Sequence, residues 1–344
     1  MSVPMLAVDD LRVRFRTEDG VVRAVDGVSL ELGTGEVLAI VGESGSGKSV
    51  TALTLMGLTR GQNTEIEGAA RLHGEDLITA PDDRLRRIRG VELSIVFQDP
   101  LSALNPVYRV GRQIAEQILA HEDLDRDQVR SRVLELLKRV GIPQAETRID
   151  AYPHELSGGM RQRVMIAMAL SCKPKVLIAD EPTTALDVTI QAQILDLLRG
   201  LKEQTGLGVV LVTHDLGVVA EIADRVAVMY AGRIVEQGTV AEVFADPRHP
   251  YTWGLLGSIT RVDRPRPTRL PSIAGAPPSL TDPPAGCTFA PRCPHRFDAC
   301  ATEPPLAPAD PARPEHPDRC VLTLAQKRDL RVVGDGQIGL EAGT

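Results

Sequence analysis

The chain has 344 residues and a formal net charge of −7, and its 43% hydrophobic and 25% charged residues are ordinary for a soluble globular protein. The acidic balance and the 3% aromatic content argue against a nucleic-acid partner, because duplex binders usually carry a basic excess and single-strand binders need stacking rings. Because neither an apolar run of about 18 residues nor a signal peptide is visible, we expect a cytosolic protein of about two domains that contacts a membrane only through partners.

Short apolar runs alternate with helical patterns along the first part of the chain. Four such runs predict buried strands, at residues 37–42, 93–98, 175–180 and 209–214. Continuous apolar runs of this length are typical of a parallel sheet that is covered on both faces. Helices are predicted over residues 126–142 and 190–204. Because strands and helices alternate, the sequence predicts an α/β fold.

Proline marks a change in organisation near residue 258. Residues 258–344 contain 15 of the 25 prolines, and proline disfavours long helices and central strands. We therefore predict one compact domain over residues 1–257 and a loop-rich extension over residues 258–325. An exposed tail is expected over residues 326–344.

The segment GESGSGKS matches the phosphate-loop pattern G-x-x-x-x-G-K-[ST] and stands between a predicted strand and a helical stretch. Its glycines let backbone N–H groups surround phosphates, and the following helix directs its positive end at them. Lys48 is expected to neutralise the β- and γ-phosphates, and the Ser49 hydroxyl to bind Mg²⁺. The residues predicted here to contact ATP are Gly42, Glu43, Ser44, Gly45, Ser46, Gly47, Lys48, Ser49 and Val50.

Two acidic residues end a later apolar strand, in the segment KVLIADEPT. Asp180 is expected to hold Mg²⁺ through water, as an aspartate in this position does in P-loop ATPases. Glu181 follows directly, and its carboxylate is placed to polarise the water that attacks the γ-phosphate. These two residues and the phosphate loop together predict ATP hydrolysis.

A third motif, LSGGMRQR, begins a predicted helix with a serine and two glycines. The free N–H groups and the dipole of such a helix form an anion site. A chain with two phosphate sites at helix N-termini has two possible arrangements. Either it binds two anions, or it forms a dimer in which the site of one chain completes the site of the other.

These motifs resemble those of the ATP-binding cassette (ABC) ATPases, in order and spacing, over residues 1–240. Gly42–Ser49 is similar to Walker A, Val176–Glu181 to Walker B, and LSGGMRQR to the signature motif. The resemblance implies a P-loop (RecA-like) nucleotide-binding domain with a helical signature subdomain over about residues 99–170. It also implies that two cassettes meet head to tail. The signature residues that would then contact ATP in the partner's site are Leu156, Ser157, Gly158 and Gly159.

The resemblance assigns further residues to the ATP site. Gln98 corresponds to the Q-loop glutamine, which contacts Mg²⁺, and His214 to the switch histidine, a catalytic residue at the γ-phosphate. Asp187 ends the D-loop TALD, and Phe15 stands where family members place an aromatic ring under adenine. Val50 replaces a common hydroxyl residue, so any α-phosphate contact there is through its backbone.

Three stretches resemble, more closely, the ATPase subunits of bacterial dipeptide/oligopeptide importers: VGESGSGKS, FQDPLSALNP and YPHELSGGMRQRVMIAMAL. The segment HPYTWGLL resembles the start of that group's C-terminal extension. This implies a peripheral subunit on the cytoplasmic face of the cell membrane. Its partners would be two permease subunits, a second and different ABC ATPase, and an extracytoplasmic solute-binding protein. A permease would contact residues 101–108.

Three alternatives remain open at this point. Nickel or another small solute is a second cargo for the same importer class. A soluble ABC protein of translation or DNA repair is a remote alternative, because such proteins tend to carry paired cassettes or a long insertion. A regulatory subunit that binds ATP without hydrolysing it is disfavoured by the intact Glu181 and His214.

Four of the five cysteines fall within 34 residues, with spacing C-x5-C-x6-C-x19-C: Cys287, Cys293, Cys300 and Cys320. Clustered cysteines in a cytosolic chain suggest a metal before a disulfide, but this spacing selects neither zinc knuckles nor ferredoxin-type clusters. The resemblance favours a 4Fe–4S cluster, with zinc, free thiols or disulfides as alternatives. Cys172 lies among apolar helix residues and is predicted to be buried.

Overall fold

The computed structural model describes residues 4–184, 186–258, 272–334 and 337–339. The strands, in chain order, are β1 (Leu6–Thr17), β2 (Gly20–Leu32), β3 (Val37–Val41), β4 (Thr64–Leu72), β5 (Glu75–Asp76), β6 (Leu93–Val96), β7 (Val176–Asp180), β8 (Gly208–Thr213), β9 (Arg225–Tyr230), β10 (Arg233–Thr239), β11 (Ala307–Pro308), β12 (Pro317–Asp318), β13 (Val332–Gly334) and β14 (Gln337–Gly339).

Helices follow most strands of the first 257 residues. In chain order they are α1 (Lys48–Leu55), α2 (Asp82–Ile88), α3 (Pro100–Ala103), α4 (Val110–Leu119), α5 (Arg126–Arg139), α6 (Ala145–Arg148), α7 (Gly158–Ala169), α8 (Val188–Thr205), α9 (Leu216–Ile222), α10 (Val240–Ala245), α11 (Pro250–Gly257) and α12 (Leu324–Leu330). Within the described ranges, no helix has both the length and the apolar character needed to cross a membrane.

An eight-stranded sheet forms the centre of the molecule, in the order β11-β12-β10-β9-β3-β8-β7-β6. The four predicted strands are confirmed as β3, β6, β7 and β8, which are parallel to one another. A second sheet, β2-β1-β4-β5, is antiparallel. The loops after β3, β6, β7 and β8 therefore emerge at the same edge, which is where α/β sheets bind ligands.

The apolar strands are buried on both faces, which explains their unbroken hydrophobic sequences. In β8, Val209 and Leu211 pack on one side with the helices, whereas Val210 and Val212 pack on the other side with the antiparallel sheet. Because successive strand residues point to opposite faces, both sets must be apolar.

Helices α3 to α7 lie between residues 100 and 169 and pack together in the first of these cores. The helix predicted over residues 126–142 is confirmed as α5, which ends three residues earlier. Asp125 caps it, accepting hydrogen bonds from the N–H groups of Asp127 and Gln128. The helix predicted over residues 190–204 is α8 and begins two residues earlier.

The extension contains only short regular elements over residues 272–323, as its prolines predict. Two of them, β11 and β12, join the central sheet, where Asp318 pairs with Glu236 of β10. Sequence reasoning did not foresee these pairs, because two-residue strands carry no periodicity. The boundary predicted near residue 258 adjoins residues 259–271, which lie outside the described residues.

The expectation of an exposed tail from residue 326 is wrong for Lys327 and Arg331, whereas Gln326, Arg328 and Asp329 are exposed. Lys327 is buried, with 2% of its surface exposed, and its Nζ donates to Asp318 Oδ1 at 2.5 Å. Arg331 Nη1 donates to Asp246 Oδ1 at 2.8 Å. Because these charged side chains find buried partners, α12 packs on the domain although its sequence is polar. The end of the predicted tail, residues 340–344, lies outside the described residues.

Candidate functional site

The phosphate loop connects β3 to α1 and requires glycine at two positions. Gly42 has φ +156° and Gly47 has φ +104°. A Cβ atom at Gly42 would lie 2.1 Å from the Met229 carbonyl oxygen, and one at Gly47 would lie 2.3 Å from that of Ala24. The loop therefore packs directly on the backbone of neighbouring strands, which fixes its curvature.

Lys48 begins α1 and crosses the loop. Its side chain is 5% exposed, and its Nζ donates to the carbonyl oxygens of Gly42 at 2.8 Å and Glu43 at 2.9 Å. Burial lowers the pKa of Lys48, while the nearby carboxylates of Glu181 and Asp180 oppose the shift. The ammonium therefore stands at the start of a helix, among free N–H groups, where a phosphate would meet two sources of positive charge.

Ser49 and Asp180 come together beside this lysine. Ser49 Oγ donates to Asp180 Oδ1 at 3.1 Å, and Asp180 is 6% exposed. Burial raises the pKa of Asp180 despite that hydrogen bond. A hydroxyl and a carboxylate at a phosphate site are hard oxygen ligands, and this donor set fits Mg²⁺ bound together with nucleotide phosphates.

Glu181 is the centre of a hydrogen-bonded group. Its Oε2 accepts from Gln98 Nε2 at 2.8 Å and from Thr184 Oγ1 at 2.9 Å, and its Oε1 lies 3.1 Å from His214 Nδ1. Burial raises the pKa of Glu181, but the hydrogen bonds from His214 and Thr184 outweigh it, and the net pKa lies below the usual value. Glu181 is thus ionised near neutral pH, as a proton acceptor must be.

The backbone of Glu181 adopts φ +48°, an uncommon conformation for a residue with a side chain. Strained backbone of this kind is concentrated at functional sites. Gln98, Glu181 and His214 follow β6, β7 and β8 respectively, so the parallel sheet places them at one edge. The arrangement is able to orient a water molecule and remove its proton.

The signature motif stands at the start of α7, away from this group. Ser157 caps the helix, and its Oγ accepts from the Met160 N–H at 3.4 Å. The N-terminal end is open at Gly158, where a Cβ would meet nothing within 4 Å. Within the described part of the chain, no hydrogen bond or ion pair links Leu156–Gly159 to the phosphate loop.

Asp187 caps α8, because its Oδ1 accepts a hydrogen bond from the Ile190 N–H at 2.9 Å. This carboxylate oxygen therefore takes part in the helix cap. The D-loop residue at position 185 lies outside the described residues. Phe15 lies on β1 and pairs with Val22 of β2 and Thr64 of β4. Both Phe15 and Val50 are partly buried and pack against the core between the two sheets.

The four clustered cysteines line one cavity, together with Phe289, His249 and His295. Its volume is about 10 Å³, room for about one water molecule. Burial raises the pKa of the thiols at Cys293, to about 11, and at Cys320, to about 12. All five cysteines are free thiols, and Cys172 is buried as predicted. In the described ranges, no group of three or more His, Cys, Asp or Glu is arranged to hold a metal ion.

Sequence reasoning missed two residues that contact the site. Thr184 Oγ1 donates to Glu181, although the motif assigned the threonine only to the D-loop. The Tyr251 hydroxyl accepts from the Glu43 N–H at 2.8 Å across 208 residues. Thr184 stands three residues after Glu181, and this short spacing could have indicated the contact. No local pattern relates Tyr251 to the phosphate loop.

Comparison with known proteins identifies the family. A family model described as "ABC transporter" matches residues 25–184, and one described as "Oligopeptide/dipeptide transporter, C-terminal region" matches residues 235–300. The dipeptide transport ATP-binding protein DppD of Bacillus subtilis (strain 168) is 52% identical over 297 residues, 86% of this chain and 88% of DppD. The oligopeptide transport ATP-binding protein OppD of the same strain is 52% identical over 287 residues, 83% of this chain and 80% of OppD.

Among solved structures, a dimeric post-hydrolysis state of the ATP-binding cassette MJ0796, bound to ADP and Pi, matches with a TM-score of 0.62. The match has 29% sequence identity and covers 69% of this chain and 99% of that one. With the phosphate loop, the Glu181 group and these relatives in agreement, the chain belongs to the ABC transporter ATP-binding subunits of the dipeptide/oligopeptide importer family.

Proposed function

We propose that this protein hydrolyses ATP to power uptake of dipeptides or oligopeptides through a multisubunit ABC importer, on the cytoplasmic face of the membrane. The observation that carries the ATPase proposal is the carboxylate of Glu181, hydrogen-bonded to Gln98, Thr184 and His214. The peptide cargo is supported by the names of relatives that are 52% identical, DppD and OppD.

In this mechanism the residues of the chain bind ATP, orient the attacking water and accept its proton. Lys48 and the N–H groups of the phosphate loop neutralise the β- and γ-phosphates, and Phe15 stacks against adenine. Ser49, Asp180 and Gln98 would hold Mg²⁺, which supplies further neutralisation of phosphate charge. Glu181 accepts a proton from water as the water oxygen bonds to the γ-phosphorus and the bond to ADP breaks.

His214 contacts the γ-phosphate. It also orients Glu181, because its Nδ1 lies 3.1 Å from Oε1 of that glutamate.

The signature, Leu156–Gly159, completes the ATP site of a second cassette. The open N-terminal end at Gly158 supports this, since a helix start without a covering group is available to a phosphate. A different ABC ATPase is the proposed second cassette, and two permeases and an extracytoplasmic solute-binding protein complete the importer. Val107, which is 70% exposed, offers an apolar contact for a permease.

We also propose that the extension over residues 258–325 binds a metal group through its four clustered cysteines, with a 4Fe–4S cluster as the first candidate and zinc as the second. Support comes from their convergence on one cavity although Cys287 and Cys320 are 33 positions apart. When bound, the group supplies cross-links to a region with little apolar core of its own.

Anaerobically purified protein is expected to contain iron and sulfide at roughly four per chain, as a 4Fe–4S cluster requires. Cys293→Ser should lower the metal content and the thermal unfolding midpoint together, because metal ligation contributes directly to folding. Cys172→Ser is the matched control, since that cysteine is buried outside the cavity. Zinc without iron would select the second candidate, and protein free of both would refute the metal proposal.

Uptake in cells whose only copy carries Glu181→Gln tests the transport proposal. Labelled dipeptide or oligopeptide uptake is expected to fall to background, because closure of the cassettes without hydrolysis cannot reset the importer. A nickel chelate is offered in parallel. Loss of nickel uptake with unchanged peptide uptake would reassign the cargo, and unchanged uptake of every solute would contradict the transport assignment.

A further inference from the structure

An ion pair between Arg292 and Glu43 joins the extension to the phosphate loop. Arg292 Nη1 donates to Glu43 Oε2 at 2.6 Å, and Nη2 donates to Glu43 Oε1 at 3.0 Å. The two residues are 249 positions apart. The Arg292 side chain is 3% exposed and that of Glu43 is 30% exposed. A bidentate, largely buried pair of this kind fixes geometry more strongly than a surface pair.

The guanidinium of Arg292 is held on its other sides by the extension and by β9. Nε donates to the Ala274 carbonyl oxygen at 2.9 Å, and Nη2 also donates to that of Ile273 at 3.2 Å. The Tyr230 hydroxyl accepts from Nη1 at 3.4 Å. Because these partners fix the plane of the guanidinium, Arg292 presents a preorganised fork to Glu43 that a lysine does not reproduce.

Glu43 connects this arginine to Lys48, the lysine of the phosphate loop. The Glu43 N–H donates to the Tyr251 hydroxyl at 2.8 Å, and its carbonyl oxygen accepts from Lys48 Nζ at 2.9 Å. The position of Glu43 is thus set on three sides, by Tyr251, by Lys48 and by Arg292. Displacing its side chain would shift the loop that surrounds the phosphates.

The negative charge of Glu43 also affects the binding of phosphates by the loop. A carboxylate within a loop that accepts a triphosphate opposes binding, and the Glu43 charge acts on Lys48, whose pKa it raises against the larger effect of burial. Arg292 lies in direct contact with that carboxylate and offsets it. Without Arg292, the phosphates would face an uncompensated negative charge in a site partly removed from water, where charges interact strongly.

We propose that Arg292 is a positioning residue for ATP: it neutralises the Glu43 carboxylate at the outer end of the phosphate loop, so that the cysteine-containing extension sets the affinity of the ATP site. This inference rests on the proposed ATPase function. The pair predicts opposite effects from its two members, because losing the arginine leaves a repulsive charge, whereas losing the glutamate removes one.

The test measures the Kd for ATP with Mg²⁺ by equilibrium titration, using the full chain with Glu181→Gln as the parent to prevent turnover. Arg292→Gln is expected to raise Kd about tenfold, and Glu43→Gln to lower Kd, because the repulsive carboxylate is removed. The double variant should return Kd to within about threefold of the parent. Arg296→Gln removes the same charge from an exposed position of the same loop and is expected to change nothing.

An equal Kd in the parent and in Arg292→Gln would overturn the inference. Weaker binding in both single variants, with no recovery in the double variant, would also overturn it, since that pattern indicates only a structural contact. Should Arg292→Gln fail to fold, as judged by its thermal unfolding midpoint, Glu43→Gln provides the test, because a lower Kd in that variant supports charge compensation and an equal or higher Kd refutes it. A parent that binds no ATP would refute the proposed function instead.

Discussion

Glu181→Gln is expected to lower kcat for ATP hydrolysis about 100- to 10 000-fold, the usual contribution of a general base. Glutamine keeps the size of the side chain and can still bond to Thr184, but it cannot accept a proton from water. ATP binding should persist, because Lys48 and the phosphate loop are unchanged. The measurement is steady-state phosphate release beside an equilibrium ATP titration.

The matched control is Glu203→Gln, the same change at an exposed carboxylate of α8. Its kcat should equal that of the unaltered protein. Near-normal hydrolysis by Glu181→Gln would show that another group removes the proton. Since the pKa of Glu181 lies below its usual value, activity limited by this residue should not decline between pH 8 and pH 6, because the carboxylate stays ionised throughout that interval.

Lys48→Met is expected to weaken ATP binding about 100-fold or more. Methionine is similar in length and apolar, so the buried path of the side chain remains filled while the charge is lost. Removing one partner of a buried charge pair costs about 3–5 kcal/mol, and here the triphosphate and the neighbouring Asp180 and Glu181 would all lose their cation.

Lys48→Arg serves as the comparison for this variant. It retains the charge but does not fit the space between the Gly42 and Glu43 carbonyl oxygens, so partial binding is expected. Unaltered ATP affinity in Lys48→Met would contradict the assignment of the phosphate loop as the nucleotide site. The thermal midpoint of the ligand-free variant should be lower, since the buried Asp180 carboxylate loses its neighbouring cation.

Local patterns predicted much of the fold and the position of Glu181. The runs at residues 37–42 and 209–214 are apolar throughout because both faces of their strands are buried, so the unbroken apolar runs identified the strands. Gln98 and His214 were assigned by the family resemblance. The structure brings them to Glu181 because the loops after parallel strands meet at one edge of the sheet.

The contacts that sequence reasoning missed span long distances along the chain. Lys327 was assigned to an exposed tail, yet its ammonium is buried against Asp318. The pairing of Arg292 with Glu43 depends on how the extension folds back on the domain. No periodicity within either segment encodes these contacts, since each partner is separately a typical surface residue.

The pairing of β12 with β10 has a consequence for shortened forms of this protein. A chain that ended after α11 would leave the outer side of β10 unpaired, and an unpaired strand edge is a template for aggregation. It would also leave Glu236 without the His316 imidazole that contacts its carboxylate at 2.8 Å. Glu236 would keep the hydrogen bonds from the Arg248 and His249 N–H groups but lose this side-chain partner. The extension therefore covers a sheet edge, and we expect a chain shortened after α11 to aggregate more readily than the full chain.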